Sequence, residues 1–221
     1  MKVRCLDFGF CSLSVVAVLA YQVQPPVGSI HGVVVNELGQ PVIAAKVFAD
    51  LLDGLQHAKA LISAETDNEG KFTVDRLEWG PYRIDAQKES EGYPDTSFDF
   101  YSEGRTFTAS VSPGKPVANI RVVIGPKAGV ISGSIADAIT GAPVNATFNM
   151  RRVRSPNMFI GTSVPPQFRV LIPPRTEVLV EVHAPGYNVW YYPGSSSQSA
   201  PLRLQSSETV TLDVKLDPKV Q

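Results

Sequence analysis

Apolar and polar residues alternate with a period of two through most of this chain, and no apolar period of 3.6 residues survives for more than a turn or two. Alternation of that kind predicts strands with one face buried and one face wet. It is clearest in Tyr82-Arg83-Ile84-Asp85-Ala86-Gln87 and in Val178-Leu179-Val180-Glu181-Val182-His183, where the first, third and fifth residues form the buried face. The closing segments alternate likewise, with Ile120, Val122 and Ile124 in one and Leu212, Val214 and Leu216 in the other. A slip of one residue would turn each set to water, at about 1.5–3 kcal/mol per large side chain, so the pattern fixes the register. Pro and Gly punctuate the strands at short intervals, and the expected fold is all-β with little helix.

The strands come in two matching sets. Residues 28–124 and 129–216 each carry a G-x-x-x-G start (Gly28, Gly32; Gly129, Gly133), a Gly-x-Pro-Val turn (Gly39, Pro41, Val42; Gly141, Pro143, Val144) and a Phe-x-Val strand (Phe72, Val74; Phe168, Val170). A Gly-Tyr pair follows (Gly92, Tyr93; Gly186, Tyr187). A period near one hundred residues is the size of a whole domain, which predicts two tandem sandwiches over 27–125 and 126–217. Asp67-Asn68-Glu69-Gly70 predicts a hairpin turn with Gly70 at positive φ. Asp53-Gly54 marks another turn, with a helical turn over 51–60 as the alternative. The linker Gly125-Pro126-Lys127-Ala128-Gly129 is short and stiffened by proline, so the halves are expected to touch.

Ahead of the repeats, Lys2 and Arg4 precede an apolar run from Phe8 to Ala20 that ends in Val18-x-Ala20. This reads as a signal peptide over 1–20, with an uncleaved membrane anchor as the alternative and as the one route to a membrane. Both cysteines, Cys5 and Cys11, fall in that segment, so the repeats hold no thiol, and a bacterial secreted or periplasmic setting is expected. Removing residues 1–20 takes Lys2, Arg4 and Asp7 from 20 basic and 21 acidic side chains and leaves a balance close to neutral. Nothing there recruits nucleic acid, and the one basic run, Arg151, Arg152 and Arg154, reads as a solvated hairpin face.

Several motifs resemble those of the carboxypeptidase regulatory-like domain. They are Gly39-x-Pro41-Val42-x-x-Ala45-x-Val47, then Thr66-Asp67-x-x-Gly70-x-Phe72, then Leu77-x-x-Gly80-x-Tyr82-x-Ile84. The second repeat keeps the front half and the later Gly186-Tyr187 and Tyr191-Tyr192-Pro193-Gly194, but has residues 161–167 where the Thr-Asp-x-x-Gly hairpin should stand. The resemblance implies a transthyretin-like, seven-stranded Greek-key sandwich in each half. It also implies a noncatalytic accessory module, because the motifs are turn and core positions.

Candidate chemistry is sparse. His31, His57 and His183 share no ligand spacing, so neither a metal nor a cofactor is expected. Gly194-Ser195-Ser196-Ser197 lacks the second glycine of a nucleophile elbow. Asp85 and Glu181 are equivalent across the repeats and read as solubilising residues on outer faces, and no enzyme is expected. The aromatics are the positive signal: Trp79 in a turn, and the ribbon Tyr187-Asn188-Val189-Trp190-Tyr191-Tyr192, with Phe98, Phe100 and Tyr101 in the comparable place of the first repeat. Alternation puts Tyr187, Val189 and Tyr191 on one side and Asn188, Trp190 and Tyr192 on the other. Trp79, Trp190, Tyr191 and Tyr192 are therefore the candidate ligand-binding residues, for a polysaccharide or a protein partner at the cell envelope, with packing between the halves or in the cores as the competing use.

Overall fold

The computed structural model describes residues 27–52, 62–194 and 197–220. The expected export signal, both cysteines, His57, the expected Asp53-Gly54 turn and Ser195-Ser196 lie outside the described residues.

The first half contains strands β1 (Gly28–Val35), β2 (Lys46–Leu51), β3 (Ile62–Glu65), β4 (Lys71–Leu77), β5 (Gly80–Gln87), β6 (Phe107–Val111) and β7 (Val117–Val123). The second contains β8 (Gly129–Asp137), β9 (Ala146–Arg152), β10 (Phe159–Val164), β11 (Gln167–Ile172), β12 (Val178–His183), β13 (Trp190–Tyr191) and β14 (Thr209–Leu216). Their sheets correspond strand for strand. The order β4-β1-β7 faces β3-β2-β5-β6 in the first half, and β11-β8-β14 faces β10-β9-β12-β13 in the second. In both, the central strand of the smaller sheet pairs antiparallel on one side and parallel on the other, β1 with β4 and β7, β8 with β11 and β14. The fold is all-β, two sandwiches in tandem.

Each sandwich closes on its own core. Tyr82, Ile84 and Ala86 point inward from β5, as Val178, Val180 and Val182 do from β12, and all six are buried. The repeated glycines have a steric cause. At Gly32 a Cβ would lie 2.4 Å from the Phe72 ring, and at Gly133, where φ is +152°, it would lie 1.9 Å from the Leu212 carbonyl oxygen. The central strand can therefore sit between its neighbours only without a side chain at that point.

The turns are duplicated in chemistry as well as in sequence. Asn36 Oδ1 accepts the backbone amides of Leu38 and Gln40, and Asp137 Oδ1 accepts those of Ile139 and Thr140. Thr66 is buried because its hydroxyl bridges two strands' ends, donating to the Val42 carbonyl and accepting from the Ala45 amide. The second half lacks that threonine yet keeps the neighbouring bond: Ile135 donates to the Pro166 carbonyl where Val34 donates to that of Gly70.

One element breaks the correspondence. Between β5 and β6 the chain makes a short 3-10 turn (Glu89–Glu91) and one turn of α-helix, α1 (Asp99–Ser102). α1 leaves its own sandwich and docks on the other. Phe100 is buried among the core side chains of the second half, and the Tyr101 hydroxyl donates to the Leu171 carbonyl at 2.9 Å. Arg152 holds the far side, its Nη2 donating to the Phe100 carbonyl at 2.6 Å and its Nη1 to Glu103 Oε1 at 3.1 Å. The basic run does not form a solvated face: Arg151 and Arg154 are exposed, but Arg152 is 8% exposed and spans the junction.

Asp85 departs from expectation for a related reason. Its strand is central in the sheet, and the excursion toward α1 covers what would have been the outer face, leaving Asp85 4% exposed. It pairs with Arg83 Nε at 2.8 Å and accepts from the Thr96 hydroxyl at 3.3 Å. Burial pushes the Asp85 carboxyl above its ordinary value, with Arg83 opposing. Its counterpart Glu181 stays half-exposed beside His183, 3.1 Å away.

Candidate functional site

Of the four candidate aromatics, two share a groove. β13 is only two residues long and pairs with β12 through Trp190 opposite Val182 and Tyr191 opposite Glu181, which makes it the outer strand of its sheet. Beside it runs β14, the outer strand of the other sheet. Between them lies a groove of about 730 Å³ lined by Trp190, Tyr191, Asn188, Asp213, Lys215 and Asp217, among others. Asp213 is held by the Ser134 hydroxyl at 2.8 Å, and the Asn188 backbone amide donates to the Asp217 carbonyl at 2.8 Å. A half-buried indole and phenol beside carboxylates, an amide and an ammonium can take apolar ring faces and hydroxyl groups at once.

The other two candidates stand elsewhere. Tyr192 packs against the second core, and its backbone amide donates to the Val180 carbonyl. Trp79 packs against the first core, and its buried Nε1 finds no partner among the described residues. Simple alternation also fails at Tyr187. The chain turns at Ala184–Tyr187 before β13 begins, so Tyr187 and Trp190 both pack on the core instead of facing opposite ways. Asn188 is read from sequence only as a neighbour in the aromatic ribbon, and Asp213, Lys215 and Asp217 are not sequence candidates at all. Asp213 and Lys215 were legible only as the outward positions of a strand read for its inward ones.

Asp137 and Tyr101, whose titration is displaced, are tied into structure. Asp137 is held below its ordinary value, first by the Thr140 backbone amide and, more weakly, by the Tyr187 hydroxyl. The Tyr101 phenol is pushed well up by burial. His31 sits between Ser29 and Thr73 hydroxyls at 3.0 and 3.3 Å. Among the described residues no three His, Cys, Asp or Glu side chains gather where they could hold a metal.

No family model matches this sequence, and no curated protein matches it. Similar solved structures include a streptococcal ancillary pilin, 13% identical over 89% of this chain and 63% of that one, with a TM-score of 0.42. The Bacillus anthracis TIE protein is 12% identical over 87% of this chain and 34% of that one, with a TM-score of 0.36. GBS52, the minor pilin of Streptococcus agalactiae, is 12% identical over 88% of this chain and 97% of that one, with a TM-score of 0.34. The chain thus spans about a third and under two thirds of the length of the first two. These are distant likenesses.

Proposed function

We propose that the chain is a noncatalytic exported module that binds or scaffolds other components of the bacterial envelope or extracellular space, built from two sandwiches akin to the carboxypeptidase regulatory-like domain. One observation carries this reading: the Phe100 ring and the Arg152 guanidinium lock the halves together, so the one buried arginine among the described residues goes into joining the sandwiches. A joint of this kind makes a stiff two-sandwich body, useful for holding surfaces at fixed spacing. Export rests on residues 1–20, and a fusion of that segment to a reporter active only outside the cytoplasm tests it. Site-specific photocrosslinking from the exposed strand faces in intact cells tests the scaffold. Discrete adducts with envelope components support it; crosslinks to cytoplasmic proteins alone sink it.

A second reading is favoured by the groove at Trp190 and Tyr191. Its two carboxylates against one lysine suit an uncharged ligand rich in hydroxyl groups, the chemistry of a neutral polysaccharide. Tryptophan fluorescence titrated with soluble polysaccharides should respond, and Trp190→Ala should abolish the response. An unaltered titration in that variant refutes the saccharide reading and leaves the scaffold standing.

A further inference from the structure

The junction between the halves contains a second cavity with the opposite electrostatic character. On one side it is apolar, about 290 Å³, walled by Tyr101 and by the rings of Pro94, Pro126, Pro173 and Pro174, with contributions from both sandwiches. Glu103, Arg175 and Thr176 also line an adjoining space of about 250 Å³, where four arginines meet two glutamates. Glu103 is already matched by Arg152 at 3.1 Å. That leaves Arg154, Arg175 and Arg203 against Glu177, and among the described residues none of the three arginines has a carboxylate within 4.0 Å. In a chain of net charge −1 this is a local excess of positive charge.

Two further observations point to a ligand. Ser102 lines the apolar part, is 4% exposed, and its hydroxyl has no partner among the described residues. A buried hydroxyl left unpaired is costly, and a bound acceptor would recover that cost. Arg175 follows Pro174 at a φ of +58°, in a turn position that ordinarily takes glycine or asparagine. Holding a long cation in that conformation carries a backbone strain that glycine would not, and the return is a guanidinium standing where the two compartments meet.

We infer that this junction is a binding site for an anion with an apolar body, a carboxylate carried on a short hydrocarbon or aromatic group. The body would lie against the prolines and Tyr101, and the carboxylate would take the planar forks of Arg175 and Arg203. A free small acid and the last residue of a peptide share this chemistry. The inference does not depend on the groove at Trp190 or on the proposed scaffold.

The test uses the whole chain, with N-acetylphenylalanine, its neutral amide, a short peptide ending in phenylalanine, and inorganic phosphate, each followed by calorimetry and by shifts of Tyr101 signals in NMR spectra. The acid should bind and the amide should bind about tenfold more weakly or not at all. Tighter binding of the peptide than of the free acid identifies a chain terminus as the source, and the reverse identifies a small metabolite. Arg203→Gln should weaken the acid about tenfold. Arg175→Gly should do the same while melting no lower than the parent, because it relieves the turn; loss of binding then cannot be put down to misfolding. Phosphate binding as well as the acid, equal binding of acid and amide, or no binding by any probe up to about 10 mM would overturn the inference.

Discussion

The hydroxyl of Tyr187 donates to Oδ2 of Asp137 across 3.0 Å, and Tyr93 meets Asn36 at the matching place in the first half. The Gly-Tyr pair that recurs in the sequence is thus a tie back to the first turn of its own sandwich. The acidic version carries a titration the amide version cannot. Asp137 is held below its ordinary value of 3.8, chiefly by the Thr140 amide, so its contribution to stability is complete above that value and is lost as pH falls through the lower folded one. Asp137→Asn, which installs the first half's own solution, should leave the fold intact and make the acid limb of stability shallower. Urea melts from pH 2 upward measure this, and an unchanged acid limb refutes it.

Asp85 titrates in the opposite sense. Burial raises its folded value above 3.8 against the pull of Arg83, so the folded protein keeps this proton to higher pH than the unfolded chain does. Its contribution is greatest on the acid side and declines as pH rises past 3.8 through the folded value. Asp85→Asn removes that decline and should be no less stable than the parent at pH 7. A large loss of stability at neutral pH would mean that the Arg83 pair outweighs burial.

Gly133→Ala should be among the most damaging single changes, at more than about 3 kcal/mol, because the new methyl would overlap the Leu212 carbonyl and no flexible group can yield. Gly141→Ala is the contrast. It also has a positive φ, of +71°, but nothing lies within 4 Å of the added carbon, so its cost should be limited to about 1–2 kcal/mol of backbone strain. Equal losses for the two in chemical denaturation would contradict the steric account.

Arg152→Ala leaves the Phe100 carbonyl and Glu103 without their partner and should cost about 2–4 kcal/mol. Phe100→Ala should cost about 3–5 kcal/mol through the vacated core volume. Both should also loosen the halves, read as a broadened distance distribution between spin labels placed one on each sandwich. Variants that melt earlier but keep a narrow distribution would show that the junction is stiffened elsewhere.

The strands and their faces were readable because alternation is local: the inward sets of β5, β7, β12 and β14 follow from their own residues. The repeat was readable because steric demands at Gly32 and Gly133 and the turns at Asn36 and Asp137 leave few residue choices. The covering of Asp85 and the junction were not readable. Both depend on where residues 88–106 travel, and nothing in Phe100 or Arg152 taken alone says that one will seat in the other half's core and the other will cross to meet it. The groove was half legible. Trp190 and Tyr191 announced themselves as aromatics, whereas Asp213 and Lys215 looked like any wet face of an outer strand.

The seating of Phe100 makes the two copies unequal partners. A gene fragment encoding only the C-terminal sandwich would yield a product with an unfilled socket, while the N-terminal one would carry an aromatic plug with nowhere to go. Each half is thus expected to be less stable alone than in the pair, because the packing of Phe100 is shared between them.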